Sequence, residues 1–398
     1  MNKGKKIVFD MFLNIVATAI PTFVLQLIIL PLISGKMESQ NYGLLVTILA
    51  LLNIVPSTMG NVLNNIRLLY DEKYKDSKLT GDFNIILIIL SVLNLFVVSI
   101  FTFYYQKSIN FIDLTFILLV SVLWLLREYF IVAFRIKLNY LAILVCNILM
   151  VLGYGLGYVL FLTSGKWQFI YILGHTVSLV YICAKCRLWK EPLKITPFFR
   201  RTSFDSFILL LSNLMNRVLT YADKLLIFPI LGGSIVSVYY AATIFGKVVS
   251  LMITPITGVA LSYLSKYKKK SDKLFKYSFL FGAVFCALGY VFCVLISKPV
   301  LSVIYPQFVD DAMNYIFITT GTTVLYALIS IINPFILKFF DMKWQLISNT
   351  GTVAVYIILC MTLLHFFGLT GFCIGALLSN LFRLVFLLTV YSFCKQKS

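Results

Sequence analysis

Long apolar runs separated by short polar loops make up most of this chain. Each run is long enough for a helix to cross the hydrocarbon core of a bilayer, which takes about 20 residues. The runs do not show the short alternating segments of a membrane β-barrel. Twelve runs can be placed in the 398 residues, at approximately 7–33, 41–66, 84–106, 111–133, 139–163, 167–185, 206–229, 236–264, 275–297, 312–336, 346–367 and 370–393. The pattern predicts an all-α, polytopic membrane protein with twelve transmembrane helices.

The composition supports this class of protein. Hydrophobic residues make up 60% of the chain, charged residues 12%, and the mean hydropathy is +0.95. A soluble domain is closer to half apolar and a quarter charged. The first run is too long for the core of a signal peptide and no small-residue cleavage site follows it, so we expect it to remain as the first span.

The charges along the chain predict its orientation. Alternate loops on one side hold 25 Lys and Arg residues, whereas the loops on the other side hold four, Lys36, Lys107, Lys166 and Lys298. Cytoplasmic loops of membrane proteins carry an excess of cations, so both termini are expected in the cytoplasm. The net charge of +19 is then mainly a topology signal. Cations spread over separate membrane-edge loops do not form a nucleic-acid-binding surface.

Five cations fall within the predicted spans, namely Arg127, Arg217, Lys224, Lys247 and Arg383. A cation at the centre of a membrane helix costs about 2.5–3.5 kcal/mol on insertion, so it usually faces the bundle interior or a wet cavity. Arg127 is next to Glu128, which favours a structural ion pair. Lys224 is near the outer end of its span, where its ammonium group is expected to extend to the membrane–water interface. Arg217, Lys247 and Arg383 are predicted to face a cavity.

Two segments of the chain repeat at an offset of 198 residues. PLISGKMESQNY (31–42) aligns without gaps on PILGGSIVSVYY (229–240) with four identities, Pro31/Pro229, Gly35/Gly233, Ser39/Ser237 and Tyr42/Tyr240. Each copy ends the first span of a six-span half, and both halves start from the same side. The repeat predicts two parallel, pseudo-symmetric six-helix lobes around a central cavity, with residues 1–184 and 206–398 as the lobes and 185–205 as a basic cytoplasmic linker.

Polar residues recur on single faces of several spans. Span 7 carries Asn213, Asn216, Arg217, Thr220, Tyr221 and Lys224 at helical spacing, span 8 carries Lys247, and span 2 carries Asn53, Ser57, Asn61 and Asn64. Such stripes either join helices through interhelical hydrogen bonds or line a cavity. Joining helices needs no lysine or arginine, so we favour a cavity for spans 7 and 8. A cavity lined by cations suits an anionic substrate, above all a phosphate.

Neither a metal nor a cofactor is expected. Cys183 and Cys186 form a lone CxxC without a second ligand pair, and His175 and His365 lie near span ends without ligand partners.

Three stretches resemble a known family of polysaccharide transporters. They are LPLISGKMESQNYGLL (30–45), ADKLLIFPILGGSIVSVYYAATIFGKVVSLMITPI (222–256) and GFCIGALLSNLFRLVFLL (371–388). They are similar to the first, the seventh and eighth, and the last spans of lipid-linked oligosaccharide flippases of the O-antigen and capsule type (Wzx type). That family belongs to the multidrug/oligosaccharidyl-lipid/polysaccharide exporter superfamily.

The resemblance implies a function and a mechanism. The substrate would be an undecaprenyl-pyrophosphate-linked oligosaccharide unit, moved to the outer leaflet of a bacterial cytoplasmic membrane by alternating access, for surface polysaccharide such as O-antigen, capsule or lipopolysaccharide. Further partners would be membrane lipid and the glycosyltransferases and polymerase of the same pathway. The implied substrate-binding residues are Arg217, Lys224, Lys247, Arg383, Asn213, Asn53 and Asn61. Asp223 either pairs with Lys247 or another cation, which we favour, or binds a coupling ion, a role for which Glu128 and Asp10 are weaker candidates.

Three other functions stay open. A small-molecule exporter of the same superfamily favours carboxylates in its pocket, whereas these spans hold more cations than anions. A membrane polymerase or glycosyltransferase of the same pathway usually has a sizeable extracytoplasmic loop, and the longest outer stretch here is about 298–311. A murein-precursor flippase typically has fourteen spans. We therefore expect a transporter and not an enzyme.

Overall fold

The computed structural model describes residues 3–77, 79–246, 271–340 and 342–393, and its regular elements in these ranges are all helices. The α-helices are α1 (Lys3–Val24), α2 (Leu30–Ser34), α3 (Ser39–Ile54), α4 (Pro56–Asp76), α5 (Asp82–Tyr105), α6 (Phe111–Phe130), α7 (Val132–Ile136), α8 (Tyr140–Ser164), α9 (Gln168–Lys185), α10 (Phe199–Ala242), α11 (Asp272–Ile304), α12 (Val309–Phe339) and α13 (Met342–Phe393). A π-helical turn, Leu25–Ile29, joins α1 to α2, and short 3₁₀ turns lie at Leu188–Lys190 and Pro306–Phe308. The all-α prediction is confirmed.

Nine helices in the described ranges are long and apolar enough to cross a membrane. The number is lower than twelve because two pairs of predicted runs each share one helix and because α9 is not among the nine. Most of the run at 236–264 lies outside the described residues. The runs at 346–367 and 370–393 lie in α13 on either side of Gly368, whose φ is +57°. The run at 206–229 and the start of the run at 236–264 lie in α10 on either side of Gly232, whose φ is +80°. Helix α9 coincides with the run at 167–185. Together these helices make the chain a multi-pass membrane protein.

A proline marks a break in the second predicted span. Helix α3 ends at Ile54 and α4 begins at Pro56. Proline fits a first helical position, because the backbone N–H that it lacks would have no partner there. The second run is therefore two helices in series, and Thr58 and Asn61 lie in the first turns of the second one.

The helices cluster into two compact units. The first contains residues up to Ile33 and Leu44–Leu225, and the second contains Ser34–Gly43 and the residues from Leu226 on. The basic segment 185–205 and the first part of α10 thus belong to the first unit. The lobe and linker boundaries drawn from the sequence stay a prediction.

Close packing of α8 on α9 organises the first unit. A Cβ on Gly153 would lie 2.6 Å from the carbonyl oxygen of Leu173, and a Cβ on Gly157 would overlap the backbone of Ile170. These glycines are four residues apart, hence on one helix face, and they let the two backbones touch as small residues do in membrane bundles. Gly155 points into open space.

In the second unit, α11, α12 and α13 share one apolar core. Ile332, Phe335, Leu387 and Tyr391 are buried there, and the ring of Phe275 packs against Phe335 with their centroids 5.3 Å apart. This core lies where these helices approach the predicted cytoplasmic side.

The two copies of the sequence repeat also meet in the second unit. The hydroxyl of Ser237 donates to the carbonyl oxygen of Ser39 at 2.6 Å. The rings of Tyr42 and Tyr240 meet edge to face at 6.1 Å, and Tyr42 Oη is 3.2 Å from Tyr305 Oη. Ser39/Ser237 and Tyr42/Tyr240 are identical positions of the alignment, so the repeat marks equivalent residues that pack against each other.

Candidate functional site

A polar cavity lies between α4 and α10 in the first unit. Its volume is about 230 Å³, and it is lined by Thr58, Asn61, Asn213, Arg217 and Thr220. Helix α10 supplies three of these residues at spacings of four and three, and α4 supplies two at a spacing of three. Both spacings place side chains on one helix face. Two polar stripes therefore face each other across the cavity.

The cavity wall contains a polar atom that the protein leaves unsatisfied. Thr58 is 1% exposed, and its hydroxyl has no hydrogen-bond partner among the described residues. Leaving a buried polar group without a partner costs about 1–3 kcal/mol. A polar ligand group or a water molecule in the cavity would remove that cost.

The charge of the cavity comes from Arg217. Its side chain is partly buried, and its guanidinium carbon is 5.9 Å from the centroid of the Tyr221 ring. Within the described ranges, Arg217 takes part in none of the ion pairs, and none of the five lining residues is acidic. The cavity is therefore positive, and a planar guanidinium suits phosphate or carboxylate oxygens.

A hydrogen-bond network holds Asn61 from behind. Asn65 Nδ2 donates to Asn61 Oδ1 at 2.9 Å, and Arg135 Nη1 donates to Asn65 Oδ1 at 2.9 Å. The neighbouring Asn64 donates to the backbone carbonyl oxygen of Glu128 at 2.8 Å. The amide of Asn61 is thus fixed by groups on α4 and at the end of α7, which orders one wall of the cavity before any ligand binds.

Asp223 and Lys224 form a closed ion pair outside the cavity lining. Lys224 Nζ is 2.6 Å from both carboxylate oxygens of Asp223, and Lys224 is 5% exposed. The partner that the sequence favoured for Asp223, Lys247, lies outside the described residues. Adjacent residues of a helix point in different directions, but the long lysine side chain reaches back to the carboxylate beside it.

Glu128 is held by Arg127, as predicted from their adjacency. Arg127 Nη1 donates to Glu128 Oε1 at 2.7 Å. The same guanidinium donates to Asn147 Oδ1 and, at 3.4 Å, to Ser178 Oγ. Asn147 in turn donates to the carbonyl oxygen of Ala17 at 2.8 Å. This buried network connects α6 to α1, α8 and α9.

The remaining predicted site residues lie elsewhere. Asn53 donates to the carbonyl oxygen of Leu49 at 2.8 Å, within its own helix. Arg383 belongs to the second unit, where its Nη2 donates to Asn349 Oδ1 at 2.9 Å. Of the seven predicted substrate-binding residues, the cavity brings together Asn61, Asn213 and Arg217.

Thr58 is the lining residue that the sequence analysis did not single out. It is three residues before Asn61 and so on the same face of α4, which is the signal that finds it.

Among the described residues, no group of His, Cys, Asp and Glu has the arrangement of a metal site. His175 is buried against the ring of Trp124, with the centroids 4.9 Å apart.

Comparison with known proteins identifies structures that have a similar fold. No family profile and no curated protein matches the sequence. Solved structures do match. Lipid II flippase MurJ in an inward closed conformation gives a TM-score of 0.72 at 16% identity, over 94% of this chain and 87% of that one. An inward-facing multidrug resistance MATE family transporter of the MOP superfamily gives 0.67 at 13% identity, over 96% of this chain and 99% of that one. The chain shares the fold of these two structures.

A third match has the same fold at lower similarity. A point mutant of the Vibrio cholerae MATE transporter VcmN gives a TM-score of 0.55 at 11% identity, over 97% of this chain and 96% of that one. These alignments run along nearly the whole chain, so the likeness of fold includes both compact units. Sequence identities this low establish the fold alone.

Proposed function

We propose that this chain is a flippase that moves an undecaprenyl-pyrophosphate-linked oligosaccharide unit from the inner to the outer leaflet of a bacterial cytoplasmic membrane. Alternating access would carry the unit across, for surface polysaccharide synthesis. The observation that carries the proposal is the cavity at Arg217, which has one cation and no acidic residue in its lining. A diphosphate leaving water needs such a cation.

The cavity size is consistent with one group of a larger substrate. Pockets for whole drug-sized ligands usually measure about 300–1,000 Å³, and this one measures about 230 Å³. It suits a diphosphate or one sugar. In this scheme Arg217 binds the diphosphate, the amides and hydroxyls around it hydrogen-bond sugar or phosphate oxygens, and the polyprenyl chain stays in lipid.

The other predicted residues have places in the same scheme. Arg383, Lys224, Lys247 and Asn53 remain candidates for further contacts along the substrate path. The ion-coupling candidates Asp223 and Glu128 are both paired with a neighbouring cation in this structure. Either one would have to leave that cation before it bound a coupling ion.

The fold neighbours support a transporter and include a flippase for a lipid. One matched structure is a lipid II flippase and others are multidrug transporters. Export of small cationic molecules is the second candidate, because the MATE structures share the fold. The cavity lining opposes that candidate, since a cationic ligand would meet Arg217 and no carboxylate.

Complementation in the source bacterium tests the proposal. The gene is deleted and restored as wild type, Arg217→Gln or Arg217→Lys, with Lys107→Gln as the control because Lys107 is an exposed loop cation. We expect deletion to remove surface glycan and to accumulate lipid-linked units. Arg217→Gln should fail at normal membrane levels, Arg217→Lys should restore part of the glycan, and Lys107→Gln should restore all of it.

Two results would contradict the proposal. Surface glycan that survives deletion, in a strain without a second such transporter, would exclude the flippase function. Increased sensitivity of the deletion strain to cationic drugs, with unchanged glycan, would support the exporter instead.

A further inference from the structure

Hydrogen bonds hold the segment between α9 and α10 in a defined position in the first unit. Residues 187–197, here called the strap, run RLWKEPLKITP. Asn84 Nδ2 donates to the backbone carbonyl oxygens of Leu188 at 3.1 Å and Glu191 at 3.0 Å. Glu191 accepts two hydrogen bonds from Arg67, at 2.6 and 2.7 Å. The first part of the strap is thus fixed to α4 and α5.

A buried carboxylate fixes the other end of the strap. Asp82 is 0% exposed and accepts from the backbone N–H of Thr196 at 2.7 Å and from Tyr74 Oη at 2.6 Å. Gly81 is next to it with φ +126°, and a Cβ there would lie 2.5 Å from the carbonyl oxygen of Lys194. Only glycine fits this close approach of two backbones.

The outward side of the strap combines apolar side chains with cations. Trp189 is 50%, Leu193 64% and Ile195 65% exposed. Arg187, Lys190 and Lys194 alternate with them and are exposed, and Lys190 Nζ lies 4.8 Å from the centroid of the Trp189 ring. In the described ranges, these three cations take part in no ion pair.

The residues that hold the strap determine its depth relative to the membrane. Asp82 and Asn84 lie in the first turn of α5, a helix that is long and apolar enough to span the membrane. Because these two residues hold the strap, it lies level with the end of a span, at the membrane–water interface. Tryptophan with aliphatic neighbours and basic residues is the pattern of interfacial anchors.

We infer that the strap is an inner-leaflet anchor that binds the phosphate-bearing headgroups of anionic phospholipids. Trp189, Leu193 and Ile195 enter the headgroup boundary, and Arg187, Lys190 and Lys194 contact the lipid phosphates. The charge pattern that predicts the strap on the cytoplasmic side also puts it where anionic lipids concentrate. The inference rests on that orientation and on the geometry of the strap, and it holds whatever the transported substrate is.

Tryptophan quenching by brominated lipids tests the inference. The whole protein is reconstituted in phosphatidylcholine vesicles that contain brominated phosphatidylcholine or brominated phosphatidylglycerol. The signal of Trp189 is the difference between wild type and Trp189→Phe. We expect both lipids to quench it and phosphatidylglycerol to quench it at lower mole fraction.

Variants that remove cations of the strap test whether these cations bind anionic lipid or whether Trp189 merely lies close to the bilayer. For Lys190→Gln/Lys194→Gln, the preference for phosphatidylglycerol should fall about 5-fold for each cation removed, the fold-change that corresponds to ~1 kcal/mol. Lys107→Gln/Lys298→Gln, which changes two exposed cations predicted on the opposite side, should leave the preference unchanged.

The quenching results decide between occupants. Equal quenching by the two lipids would overturn the anionic-lipid inference. The absence of quenching by either lipid would show that no bilayer reaches Trp189, and the exposed strap would then be a docking surface for a soluble protein.

Discussion

At the scale of single residues, the structure sorts the intramembrane cations by their partners. Arg127 and Lys224 each contact the carboxylate beside them, and Arg383 contacts an amide. Arg217 lines a cavity, and the described residues give it no carboxylate. A membrane span accepts a charge when it is neutralised locally or when it serves a polar path. The first explanation covers Arg127 and Lys224, and the second fits Arg217.

Arg127→Gln should destabilise the protein strongly. The substitution leaves the Glu128 carboxylate without its cation and removes the contacts to Asn147 and Ser178. Breaking a buried ion pair by removing one partner typically costs about 3–5 kcal/mol. We expect a clear fall in the thermal unfolding temperature of the purified protein in detergent.

The matched control for this prediction neutralises both partners. Arg127→Gln/Glu128→Gln should unfold at a higher temperature than Arg127→Gln alone, because no charge is left unpaired. If Arg127→Gln unfolds at the wild-type temperature, the pair is not part of the stabilising core.

At the scale of elements, the apolar runs predicted the helices well but not their contacts. The pattern of apolar and polar residues is local, so the break at Pro56 could be predicted from the sequence. Which of Gly153, Gly155 and Gly157 touches α9 depends on helix rotation, which is decided by tertiary packing. Asp82 was not singled out, because its partners, Tyr74 and Thr196, come from different parts of the chain.

For the candidate site, as for the helices, the sequence predicted which residues share a helix face but not which faces come together. Asn213 and Arg217 follow from helical spacing on one span, and Asn61 from spacing on another. That these two faces meet at one cavity depends on the packing of α4 and α10, which no local pattern contains. The pairing of Lys224 with Asp223 was missed because the position of Lys224 near the end of its span favoured contact with the interface, and Lys247 was named as the partner of Asp223.

The α8–α9 contact gives a prediction with an internal control. Gly153→Ala and Gly157→Ala should each lower the unfolding temperature, because the new methyl group would meet the backbone of α9. Overpacking of this kind typically costs about 1–3 kcal/mol. Gly155→Ala adds the same methyl group into open space and should be neutral or slightly stabilising. Equal effects at all three positions would contradict the observed rotation of α8.

The strap should loosen when its buried anchor is changed. The carboxylate of Asp82 accepts hydrogen bonds from Thr196 and Tyr74. Asp82→Asn replaces it with an amide whose NH₂ group must face one of these two donors. We expect faster tryptic cleavage after Arg187, Lys190 or Lys194 in the folded protein. Asp76→Asn, at an exposed carboxylate on α4, is the control and should leave the cleavage rate unchanged. Unchanged cleavage of Asp82→Asn would show that Glu191 and Asn84 alone hold the strap.

At the scale of the whole molecule, orientation in the membrane is the property on which the proposals depend. The prediction of cytoplasmic termini uses 25 cations against four, counted over alternate loops. The contacts between helices are the same in either orientation, so the orientation is a property to be measured in the membrane. If the chain were inverted, the strap would face the outer leaflet and would meet few of the lipids that it is proposed to bind.

Cysteine labelling decides the orientation. Lys107→Cys and Lys298→Cys represent the predicted outer loops, Lys190→Cys represents the inner side, and all three parent residues are exposed. In intact cells, a membrane-impermeant maleimide should label the first two and should reach Lys190→Cys only after permeabilisation. The unsubstituted chain supplies the background from its own cysteines, seven of which are free in the described residues. The reverse labelling pattern would invert the topology and contradict the inner-leaflet anchor. The cavity at Arg217 would be unaffected, since all of its lining residues lie inside one unit.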